Sequence, residues 1–176
     1  MRLGASFIML GRSWGPVKRG SFMDKRAAGV LGGLAAGLLM DLAMVAGRRT
    51  GTLHETLDEK SEDWLDRTAS ARALVGDDGT TALEQANHFV ASAAFGYAYD
   101  MLRERLPGVS PGLLGALYGG GLYVVNIAGI APVLGITEGE QNVSGRVRGE
   151  RLGLHILYGF VTAVVAEALS RRPATG

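Results

Sequence analysis

Cysteine is missing from this chain and proline is scarce, with five in 176 residues. The first absence excludes a disulfide framework, thiolate metal centres and cysteine nucleophiles. Aromatic residues reach only 7%, and neither sign of charge dominates, since 18 Lys and Arg stand against 17 Asp and Glu. Without a basic field to recruit a polyanion, nucleic acid is not among the expected partners. No phosphate loop, dinucleotide fingerprint, nucleophile elbow or metalloprotease motif occurs, so the residues point to no enzyme class. Glycine is the abundant residue, at 27 copies, about twice the usual share.

Charge is also unevenly spread. Nine of the acids fall within 48–84, while long apolar windows carry almost none. A helix of about 20 apolar residues rises roughly 30 Å, the thickness of a bilayer's hydrocarbon core. Four windows approach that length: 27–46, 85–102, 112–134 and 152–169. The second is the weakest, because it contains Asn87, His88, Ser92 and Asp100. The expected fold is therefore all-α, an integral membrane four-helix bundle forming one domain over 27–176. Residues 1–26 read as a basic arm or interfacial helix. Within the polar loop 48–84, Leu53, Leu57, Trp64, Leu65, Leu74 and Val75 recur at helical spacing, which predicts an amphipathic surface helix between the first two spans. Residues 137–151 read as a polar loop, and 107–111 as a short turn.

Lipid tails are as apolar as leucine, so membrane helices associate through close packing of small residues and through interhelical hydrogen bonds. Gly29, Gly33 and Gly37 lie four apart, and the next step of four reaches Asp41. His88, Ser92 and Gly96 share a face in the second window. Gly112, Gly115, Gly119, Leu122 and Asn126 form one stripe in the third, and His155, Gly159, Ala163 and Glu167 another in the fourth. Because the chain alternates direction, Asp41, His88, Asn126 and His155 also fall at one depth. Four readings of that set stay open. It forms a structural hydrogen-bond cluster, with Asp41 accepting from a histidine. It handles protons or ions, since histidine titrates near neutrality. It holds a metal or haem through His88, His155 and Asp41. Or it supplies an acid–base pair. No cofactor is the simplest expectation. Near the opposite ends, Asp100, Arg103, Glu104, Arg105, Glu167 and Arg171 read as snorkelling anchors.

The runs HFVASAAFGYAY (88–99), GALYGGGLYVVNIAGIAPVLG (115–135) and ERLGLHILYG (150–159) resemble the YagU-like bacterial inner-membrane proteins. That pattern places a histidine early in the second span (His88), a Pro-x-x-Gly turn after the third (Pro132, Gly135) and a glutamate just before a histidine in the last (Glu150, His155). The resemblance adds Glu150 to the polar set and implies a multi-pass protein of a bacterial inner membrane. Ten Lys and Arg on the side holding both termini against eight opposite predict cytoplasmic termini. The expected role is a structural or accessory subunit in the lipid bilayer, as a homo-oligomer or within a larger complex. A proton- or ion-linked transporter and a haem- or metal-binding bundle are the alternatives.

Overall fold

The computed structural model describes residues 24–54 and 57–170, and the regular structure among them is helical throughout. Most of the basic arm expected over 1–26 lies outside the described residues. Its last two members, Lys25 and Arg26, open the first helix. Helix α1 (Lys25–Thr50) is capped by Asp24, whose side chain accepts from the Arg26 amide at 3.4 Å. It stops at Gly51, where φ of 68° suits a residue without Cβ. Helix α2 spans Leu57–Ala69 and α3 spans Ala71–Arg105, with a break at Gly76 (φ 75°) near its start. Helix α4 (Pro111–Val133) begins with proline at its first turn and widens into a π-helix over Tyr123–Ile130 before its final turn. Helix α5 covers Gly145–Ser170.

Helices α1, α4 and α5 are long and apolar enough to cross a membrane, with window hydropathies of 1.8, 1.6 and 1.7. The second window, 85–102, lies inside α3, whose polar residues keep it out of that group. The fold is thus all-helical with three membrane-length apolar helices. Two further expectations need correction. The helix predicted within 48–84 is in fact two, α2 and the first turns of α3, parted at Ser70 (φ 50°). Leu74 and Val75, assigned to its apolar face, are 77% and 49% exposed. The polar loop at 137–151 holds a short 3-10 turn at Glu140–Asn142 and the first turns of α5, and it buries Glu140 and Arg151.

Helix α1 packs along α3 on one side and α5 on the other; α4 packs along α5, and α2 lies against α3. The tight pairs run antiparallel, since Gly29 faces Gly96 and Asp100 whereas Gly37 faces Ser92 and His88. The interior is built largely from small residues. Ala28, Ala36, Ala163 and Thr162 are at most 1% exposed, while Leu38, Leu42, Leu117 and Val133 point outward. An arrangement that buries glycine and alanine and displays leucine inverts the pattern of a water-soluble domain.

Candidate functional site

The glycine stripe of α1 determines where its carboxylate goes. A Cβ added to Gly33 would collide with the Ser92 carbonyl and lie 2.8 Å from Gly96 Cα, so the two backbones touch at this point. One turn on, a Cβ on Gly37 would meet Ser92 Oγ. The next residue of the stripe, Asp41, then stands opposite His88, with Oδ1 and Nε2 3.2 Å apart in a bent contact. Their side chains are 17% and 20% exposed, so water screens the pair only in part.

A matching contact sets the fourth helix. Gly115 backs onto Gly159 and Ala163, and a Cβ on Gly119 would run into the His155 carbonyl. His155 is 8% exposed. Its Nδ1 lies 2.8 Å from the Arg151 carbonyl one turn earlier, and its ring meets Tyr123 edge-on. Between these two zippers, α3 meets α4 and α5 only lightly. Tyrosines bridge the interval: Tyr118 donates to the Phe95 carbonyl and Tyr158 to the Ser92 carbonyl, both at 2.7 Å.

The space left beside these bridges is a chamber of about 190 Å³. His88, Asn126 and His155 line it together with Glu84, Asn87 and Ser92, and Met40, Met44, Phe95 and Leu122 supply apolar wall. Asp41 reaches the chamber through His88. Helix α2 roofs it with Leu57 and Ser61. That roof is fastened at its far end, where Trp64 Nε1 donates to the Leu134 carbonyl at 2.8 Å and Arg67 donates to the Gly135 carbonyl at 3.1 Å.

Three details depart from the sequence reading. Glu150 does not join the chamber. Its carboxylate accepts from the His54 amide at 3.0 Å and from Arg146 at 3.0 Å, with His54 Nδ1 3.1 Å away, so it ties the α1–α2 connection to α5. Asn126 is half-buried at the chamber edge, and its neighbour Ile127 takes the buried place. In α4 the buried positions run Leu114, Gly115, Gly119, Leu122, Ile127 and Ala131, and the step of five falls at the start of the π-helix. Finally, among the described residues no three His, Asp or Glu side chains gather as a metal-holding group, so Asp41, His88 and His155 do not close around an ion. The chamber is also smaller than the roughly 300–1,000 Å³ of ordinary ligand sites, which leaves no room for a haem macrocycle.

The sequence reading missed a second buried polar set. Arg151, 2% exposed, donates to Glu140 Oε1, while Tyr123 donates to Glu140 Oε2 at 2.6 Å. This triad anchors the connection between α4 and α5 just outside His155. It is assembled from a loop, a π-helix and a helix start, so no single periodicity announces it. Comparison with protein-family models, curated proteins and solved structures finds no match.

Proposed function

We propose that this chain is a four-span membrane protein, with α3 crossing beside α1, α4 and α5, and that it serves as a structural or accessory subunit. The observation that carries the reading is the backbone-to-backbone contact at glycine in both the α1–α3 and α4–α5 pairs, with leucine and valine facing outward. Helices in lipid gain nothing from burying leucine against one another, so such contact is how they associate. The resemblance to YagU-like proteins supports a bacterial inner membrane, and the Lys and Arg count supports cytoplasmic termini. Cysteine labelling at Ser70 and Ser144 is expected to report both on one side of the membrane; opposite sides would remove a span. Native mass spectrometry of the detergent-extracted protein tests the role. A homo-oligomer or a stoichiometric partner is the expected result, and a lone chain would refute it.

A second reading is favoured by one contact, the Asp41–His88 pair beside a roofed chamber that also holds Glu84. In that reading the chamber passes protons or cations. Asp41→Asn would then abolish proton-coupled flux in liposomes while leaving expression and melting temperature unchanged.

A further inference from the structure

The chamber beside His88 is not walled on every side. On α3 its wall runs through Glu84, His88, Ala91 and Phe95, and Asn87 borders that row on the edge away from Ser92 and α1. Asn87 is exposed and Ala91 half-buried. Across the gap, Asn126 of α4 is half-buried and lines the same space. Helices α3 and α4 barely touch. The strut from Tyr118 to the Phe95 carbonyl crosses between them on one side of the chamber, and α2, latched to Leu134, lies over the other. The two asparagines stand at the lips of the seam that remains. Outside it the surface is apolar: Val90, three residues beyond Asn87, is 69% exposed, and Val125, beside Asn126, is 56% exposed.

The lining selects what can enter from that side. Among the described residues no Lys or Arg lines the chamber, whereas Glu84 does, and Asp41 stands behind His88. An anionic head would meet carboxylates there and lose its hydration for nothing. Nδ1 of His155 faces the Arg151 carbonyl, which can only accept, so the neutral ring carries its proton there and keeps Nε2 as an acceptor. Asn87, Ser92 and Asn126 can each donate and accept. Such a lining suits an uncharged head bearing hydroxyl groups. A space of about 190 Å³ admits a head of a few heavy atoms and not its chain.

We propose that the seam between α3 and α4 is a lateral portal, through which the chamber takes the neutral, hydroxyl-bearing head of a membrane amphiphile while its chain stays outside along Val90 and Val125. The proposal rests on reading α3 as a span, which sets the seam in lipid; that reading fails separately, by labelling of Ser70 and Ser144 on opposite sides. The chain has no cysteine, so Ala91→Cys places a single thiol in the chamber wall. Monolauroylglycerol is titrated against N-ethylmaleimide labelling of this variant in detergent. The rate should fall saturably, by about tenfold once the ligand exceeds its Kd tenfold, while Ser144→Cys is unaffected. Laurate, with a charged head, and methyl laurate, without hydroxyls, should protect about tenfold more weakly or worse. Asn126→Leu, and Asn87→Leu on the other lip, should each raise the half-protecting concentration by about tenfold, with the unliganded labelling rate and helicity unchanged. Glycerol distinguishes a free polyol from a lipid, and should protect only at far higher concentration. Equal protection by glycerol or by methyl laurate, indifference to both asparagine substitutions, or failure of Ala91→Cys to react at all would overturn the proposal.

Discussion

Gly33 and Gly149 are the same residue in two helices of equal length, and their surroundings could hardly differ more. Gly33 is pressed against the backbone of α3, whereas an added Cβ at Gly149 meets nothing within 4 Å. The contrast extends to whole faces. The α1–α3 and α4–α5 pairs are closed by backbone contact, while α3 is held apart from α4 and α5 and bridged to each by one tyrosine hydroxyl. Where the chain needs proximity it uses absence of a side chain, and where it needs a chamber it uses long polar struts.

The largest effect should come from closing the space at Gly33. Gly33→Leu forces α1 and α3 apart and is expected to destabilise by about 3 kcal/mol, read as a lower melting temperature in detergent. An unchanged melt would mean that this face meets lipid. Removing a strut should cost less. Tyr158→Phe leaves the buried Ser92 carbonyl without its donor and should cost about 1–2 kcal/mol, with melting again the measure. Loosening the roof should be smaller still in global terms. Trp64→Phe removes the bond to the Leu134 carbonyl and should cost about 1 kcal/mol or less. Its effect should be local, seen as faster amide exchange confined to α2. At the end of the series the sign reverses. Gly149→Ala adds a methyl in open space on a helix and should stabilise by about 0.5–1 kcal/mol. Equal responses at Gly33 and Gly149 would dissolve the comparison.

These contrasts also show which parts of the molecule the residue pattern could reveal. The series Gly29, Gly33, Gly37 and Asp41 is regular because α1 is a plain α-helix, and its last member duly meets His88. The same spacing rule fails in α4, where the π-helix delays the stripe by one residue and hands the buried place to Ile127. Glu150 and His155 are five apart on one helix, yet their partners, His54 and the chamber, lie in different directions. The Arg151–Glu140 pair is hidden for another reason. Charged residues in a loop read as solvated, and only the fold shows that this loop turns back under α5. Asp100 was legible as a residue near a helix end; its burial follows from Gly29, on another helix.

The widened stretch Tyr123–Ile130 also couples the roof to the walls. It lies between the glycines that fix α4 to α5 and the Leu134 and Gly135 carbonyls that hold Trp64 and Arg67. Rewinding this stretch into ordinary α-helix with all of its residues kept would swing everything beyond it by about 100°, the turn of one residue. Both carbonyls would then turn away from α2, and Asn126 would rotate relative to His155. The stretch therefore works as a gear: any change in its winding, whether by mutation or by relaxation of the helix itself, would reach the latch and the chamber together.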